Sequence, residues 1–132
     1  MLPELPTSKS LPDELKAALA LNQPLVVMVS LQGCPFCKIA RENYLFHMWK
    51  AKKISIVQID MRSAKLLQDP MGRTISHDAQ TKNWNITVAP TLLFFGAKFK
   101  EVAERMQGGY LPDFYQAYLD ERLLQATKNL SS

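Results

Sequence analysis

Residues 25–40 read Leu25-Val26-Val27-Met28-Val29-Ser30-Leu31-Gln32-Gly33-Cys34-Pro35-Phe36-Cys37-Lys38-Ile39-Ala40, and their reading decides the fold of this 132-residue chain. The apolar run Leu25 to Val29 is too short for a helix of its own and rich in β-branched residues, which predicts a strand buried on both faces. Ser30 to Gly33 reads as a loop. Beyond the cysteines, Lys38 to Lys52 has helical spacing, with Ile39, Leu45, Phe46 and Trp49 as inward positions. A buried strand thus leads through two cysteines into a helix.

Cys34 and Cys37 are the chain's 2 cysteines. A disulfide between them closes so small a loop that chain entropy supplies only about 2 kcal/mol. Stabilisation is therefore a poor reason for the pair, and reversible redox chemistry a better one. At a helix start, unpaired N–H groups and the helix dipole favour negative charge. An ordinary thiol is only about 3% thiolate at pH 7, and lowering its pKa to about 7 makes it half ionised. Cys34 is accordingly expected to be the attacking sulfur. Pro35 costs no helical hydrogen bond in a first turn, and Cys37, one turn inward, is placed to resolve the mixed disulfide. Zinc needs about four ligands, and His47 and His77 are the only histidines. Haem attachment needs a histidine where Lys38 stands. The expectation is no metal and no cofactor beyond the Cys34–Cys37 disulfide itself.

Upstream, Ser10 to Asn22 reads as a helix with Ser10 as N-cap, Pro12 in the first turn, and Asp13 and Glu14 at the positive end of the dipole. Leu15, Ala18, Leu19 and Leu21 supply its apolar side, and Asn22-Gln23-Pro24 stops it. Downstream, Ile54 to Asp60 is a second strand. Between Met61 and Asn85, Ser63 to Leu67 reads as a helical turn, Pro70-Met71-Gly72 as a tight turn, and Ser76 as the N-cap of a short helix ending near Trp84. Thr91 to Phe95 is a third strand, Gly96-Ala97-Lys98 a hairpin turn, and Phe99 to Met106 its alternating partner. Leu111 to Thr127 closes the chain as an amphipathic helix with Phe114, Tyr118, Leu119 and Leu123 on one side. This order predicts an α/β fold with a mixed central sheet flanked by helices on both faces.

Composition narrows the function. A net charge of +4 is mild, and the small cluster Lys50, Lys52, Lys53 reads as a solvated helix end, so no nucleic-acid partner is expected. No stretch is long and apolar enough to span a bilayer. Residues 1–10 lack the charged-then-apolar layout of a secretory signal and read as a flexible lead-in to a single domain over 11–132. Such a start suits a cytoplasmic protein or a mature exported chain whose signal has been removed.

Four features in order resemble the thioredoxin superfamily: the strand at Leu25 to Val29, Cys34-Pro35-Phe36-Cys37 opening a helix, Val88-Ala89-Pro90-Thr91 leading into a strand, and Gly108-Gly109 before the last helix. The resemblance spans about Pro24 to Leu124. It implies a thioredoxin-like domain that exchanges dithiol and disulfide with protein substrates as a monomer. It also implies a cis Pro90 against the disulfide, with Pro35, Phe36, Ala89 and Pro90 as substrate-binding positions. Within the superfamily, the long Asp60 to Trp84 connection and the segment Gly109-Tyr110-Leu111-Pro112-Asp113-Phe114 resemble exported bacterial thioredoxins of sulfur oxidation and cytochrome maturation. That likeness implies a periplasmic reductant or interchange protein, recharged by a membrane electron donor. The chain departs from cytosolic thioredoxins at Gly33, where Trp is usual, and at Pro35-Phe36, where Gly-Pro is usual. It also has Met28 and Ile56 in place of a buried Asp and its lysine. Replacing both avoids leaving one buried charge unpaired. Without a carboxylate at Met28, Cys37 lacks the usual proton acceptor, water or a nearby group such as Lys38 must serve, and no acid–base residue is carried over.

Two alternatives stand beside this reading. A glutaredoxin-like glutathione-dependent reductase is suggested by the Cys-Pro-aromatic-Cys motif, with Lys38 and Arg41 as its basic groups, although both read as surface residues of a helix. A non-catalytic peptide-binding or assembly module would use Phe36, Trp84 and Tyr110 around Cys34, although Trp84 and Tyr110 read as core.

Overall fold

The computed structural model describes residues 3–109 and 112–130. Its helices are α1 (Leu11–Ala20), α2 (Pro35–Ala40), α3 (Phe46–Lys50), α4 (His77–Asn83) and α5 (Pro112–Lys128). Its strands are β1 (Leu25–Ser30), β2 (Ser55–Asp60), β3 (Leu66–Gln68), β4 (Thr74–Ser76), β5 (Thr91–Phe95) and β6 (Met106–Gln107). Every residue of β1 is buried. A strand without polar alternation belongs in a sheet interior with both faces covered. β1 runs parallel to β2, Leu25 opposite Ser55, and antiparallel to β5, Leu25 opposite Phe95. The four-stranded order is β2-β1-β5-β6.

Alternation along β1 divides the core in two. Val26 and Met28 join Cys37, Ala40, Leu45, Leu119 and Ala126 on one face, while Leu25, Val27 and Val29 join Leu11, Leu15 and Ala18 of α1 on the other. The mixed sheet with helices on both faces is thus present. α1 begins as its residues dictate. The Ser10 hydroxyl accepts from the Asp13 amide, a cap generally worth about 1 kcal/mol.

Four local expectations are corrected. The start of the chain is tied down from Pro6 onward: Gln58 donates its amide to the Pro6 carbonyl at 2.8 Å, and Ser8 donates to the Gln58 carbonyl at 2.9 Å. Glu14 accepts from the Ser8 hydroxyl and from the amides of Lys9 and Ser10. Leu5 enters the Cys37 side of the core. Residues 66–68, partly expected as a helical turn, form β3 and pair antiparallel with β4 across the Pro70-Met71-Gly72 turn. That hairpin is held by Asp69. Burial would raise its carboxyl, but the Arg73 and Met71 amides and the Arg73 guanidinium more than offset this and hold it below the usual range.

The expected partner of β5 is interrupted. Glu101 pairs with Phe95 and Met106–Gln107 forms β6, but residues 102–105 between them are not strand. Finally, α5 buries Tyr115, Leu119, Arg122 and Ala126 and exposes Phe114 and Tyr118. Arg122 joins the inward stripe because its guanidinium reaches the Glu104 carbonyl. Leu21 of the α1 side and Ile39 of α2 are likewise exposed.

Candidate active site

The loop after β1 delivers Cys34 to the first turn of α2. Gly33 adopts φ +81° immediately before it, a conformation that costs glycine little. Cys34 is the N-cap residue, its backbone extended at φ −86°, and its Sγ accepts the Cys37 amide at 3.1 Å. That is the group a sulfur carrying negative charge needs at a helix start. Pro35 opens the helix. Cys34 and Cys37 form a disulfide across a Cα–Cα separation of 5.3 Å. The two sulfurs are unequal: Cys37 is only 1% exposed, whereas Cys34 is half-buried.

A second element faces the disulfide. The Ala89–Pro90 peptide is cis, and the Ala89 carbonyl oxygen lies 3.7 Å from Cys34 Sγ. The segment is braced on both sides, by the Thr91 hydroxyl donating to the Val88 carbonyl at 2.7 Å and the Gly108 amide donating to the Pro90 carbonyl at 2.8 Å. Phe36, 55% exposed, and Val88 add exposed apolar surface. A Cβ at Gly109 would stand 2.8 Å from the Phe36 ring, so only glycine lets the backbone approach that closely. Beneath, Met28 and Ile56 are buried in the same cluster as Cys37.

Cys34, Pro35 and Ala89 therefore converge, Pro90 braces that wall, and Phe36 projects outward beside them. Trp84 does not belong to this surface: it packs on Phe95 at 5.0 Å between ring centroids, on the opposite face of the sheet. Tyr110 lies outside the described residues. Lys38 is a surface residue as read, its side chain 74% exposed. Arg41 is not. It is half-buried, at the start of a π-helical turn (Arg41–Leu45) joining α2 to α3. Its Nε donates to Gln58 Oε1 and its Nη2 to Ser30 Oγ, both at 3.1 Å. The signal was present in the spacing, because Cys34, Lys38 and Arg41 stand at i, i+4 and i+7, one stripe of a helix.

Cys34 also opens onto a groove of about 1160 Å³ between α2 and the first residues of the chain, with Arg41, Asp60 and Leu5 in its wall. His77 anchors those first residues. Its Nδ1 accepts the Asp60 amide and its Nε2 lies 3.1 Å from the Ser8 carbonyl oxygen. Both bonds are satisfied by the neutral imidazole protonated on Nε2, and burial pushes its pKa below the ordinary value.

Residues 11–123 match the thioredoxin-like domain family. The chain belongs to that family. With a Cys34–Cys37 disulfide at the helix start, this thioredoxin-like protein is a thiol–disulfide oxidoreductase. Solved structures share the fold at low identity. The DsbH oxidoreductase superposes with TM-score 0.63 at 16% identity, covering 93% of this chain and 88% of its own. Thioredoxin O2 of Arabidopsis thaliana, in its oxidised state, gives TM-score 0.57 at 15% identity over 89% and 95% of the two chains. A thioredoxin of Thermus thermophilus gives 0.59 at 16% identity over 89% and 87%. Among curated protein sequences none matches.

Proposed function

We propose that this thioredoxin-like protein reduces or interchanges disulfides of protein substrates, with Cys34 attacking and Cys37 resolving. The observation that carries the reading is the inequality of the two sulfurs: Cys34 is accessible and accepts a helix-start amide, while Cys37 is sealed one turn inward. The Cys34 thiolate attacks one sulfur of the substrate disulfide and expels the other as a thiolate, leaving a mixed disulfide. Cys37 then gives up its proton and attacks Cys34 Sγ. The second substrate sulfur departs, and the Cys34–Cys37 disulfide forms. Two electrons pass to the substrate, which takes up two protons as it becomes a dithiol.

Ala89 and Pro90, with Pro35 and Phe36, form the wall along which an extended substrate lies, the position of the Ala89 carbonyl beside Cys34 supporting that role. The likeness to exported bacterial thioredoxins supports a periplasmic setting with a membrane electron donor as the source of reducing equivalents.

Insulin reduction in the presence of a small dithiol tests the reading. The native protein should accelerate it, Cys34→Ser should abolish the acceleration, and Cys37→Ser should accumulate a mixed disulfide on Cys34. Equal rates for the native protein and Cys34→Ser would overturn it.

A further inference from the structure

The groove beside Cys34 is a second approach to the sulfur, because its wall includes Cys34 and Pro35 but neither Ala89 nor Pro90. It lies where β1 and β2 end, Ser30 opposite Asp60 in the sheet. Its charges resolve into pairs and a remainder. Lys38 pairs with Glu42 at 4.0 Å and Lys65 with Asp60 at 3.3 Å. Arg41, Arg62 and Glu4 are the other ionic residues of the wall, so the balance is one positive charge.

Arg41 is the member of that remainder whose geometry is held. Its two bonded partners, Gln58 Oε1 and Ser30 Oγ, are neutral. The Gln58 amide is in turn fixed by donating to Asp60 Oδ1 at 2.8 Å. The guanidinium is thereby oriented without being neutralised: no carboxylate among the described residues pairs with it. Of its five N–H donors, two are engaged by described residues, leaving both hydrogens of Nη1 and one of Nη2. A planar fork of this kind is matched by a carboxylate, which accepts two parallel charge-assisted bonds.

We propose that Arg41 is a specificity-determining residue that receives a substrate carboxylate while the neighbouring substrate sulfur exchanges with Cys34. The preferred substrates are then disulfides with an acidic side chain, or a free α-carboxylate as in glutathione, close to the reacting cysteine. This rests on the exchange chemistry proposed above.

The test is the rate constant for reduction of peptide disulfides identical except for Glu, Gln or Lys beside the cysteine, with glutathione disulfide as a separate arm. For the native protein the Glu peptide should react about tenfold faster than the Gln peptide, and the Lys peptide more slowly, in keeping with the strength of charge-assisted bonds. Arg41→Gln should bring the Glu-to-Gln ratio to about one, and Arg41→Lys should restore part of it. The ratio is read rather than the rate, because a merely structural defect slows all three peptides alike. If Arg41→Gln fails to fold, the salt dependence of the native ratio decides, since an ionic contact in an open groove weakens with ionic strength. A native ratio near one together with a glutathione disulfide rate that Arg41→Gln leaves unchanged, or a raised ratio that neither Arg41→Gln nor salt lowers, overturns the proposal. An Arg41-dependent rate with glutathione disulfide alone would locate the carboxylate on glutathione rather than on a protein. Failure to reduce any disulfide would instead overturn the exchange reading itself.

Discussion

Met28 and Ile56 set the chemistry under the disulfide. Both are buried with Cys37, so the resolving thiol has an apolar side chain at each of the two positions where the superfamily resemblance implies a carboxylate and a lysine. The proton that Cys37 must lose is not received there. The same packing makes the site intolerant of the group it lacks. Met28→Asp would bury a carboxylate at a position with no exposed surface, and an unpaired buried charge costs about 3 kcal/mol or more. Its neutral form is cheaper to bury, so the deficit relative to the native protein should be smallest in acid, where the lost Met packing remains, and grow as pH rises above about 4. Urea unfolding of the two proteins at several pH values checks this. At this scale the sequence was most legible: Cys34, Cys37 and Pro35 announce themselves by type and spacing. Arg41 was read as a surface residue because its charge said more than its place on the cysteine stripe.

At the scale of elements, the anchoring of the chain's start is the largest departure from expectation. Pro3, Pro6, Thr7 and Ser8 carry no strand period and read as coil. Order from Pro6 onward comes from partners far along the chain, Gln58 at Pro6 and Ser8, His77 at Ser8 and Gln68 at Lys9 and Ser10, which no local pattern reports. The same limit applies to β3, whose three residues are too few to distinguish a period of two from 3.6. In α2 to α3 the π-helical turn shifts the register, so Leu45 is buried while Ile39 is exposed.

His77 makes the anchoring pH-dependent. In the unfolded chain its imidazole takes up a proton below about pH 6.5, whereas the folded protein holds it neutral between the Asp60 amide and the Ser8 carbonyl. The charged groups acting on it are Asp60, Lys65 and Glu14. Since the unfolded state binds more protons, this contribution is fully present above about pH 6.5 and declines as pH falls below it. His77→Gln should flatten the slope of unfolding free energy below about pH 6.5. Asp69 and Asp78, whose carboxyls are held low by hydrogen bonds, lose their contributions at lower pH, below about 4. An unchanged slope would show that His77 does not set it.

For the whole molecule, stability resides in two apolar clusters on either side of β1, and the disulfide adds little. Closing so short a loop is worth about 2 kcal/mol. Reduction should therefore lower the free energy of unfolding by about that amount and leave the fold intact, as urea titration of oxidised and reduced protein would show. Loss of the fold on reduction would make the bridge a structural staple. The fold class was legible because β1, the cysteine helix and Pro90 recur in an order that few architectures allow. Which faces of the outer helices turn inward was less so, because a buried arginine such as Arg122 breaks an apolar stripe.

The anchoring of residues 6–8 along β2 has one more consequence, for solubility. A sheet with unpaired outer backbone is a template for another chain. On one flank here the outermost strand is the two-residue β6; on the other, β2 exchanges hydrogen bonds with Pro6 and Ser8 through Gln58. The start of the chain is thus a seal on the longer rim. Proteolysis between Ser8 and Ser10 would unseal it and leave the Gln58 amide and carbonyl open to strand addition by a second copy.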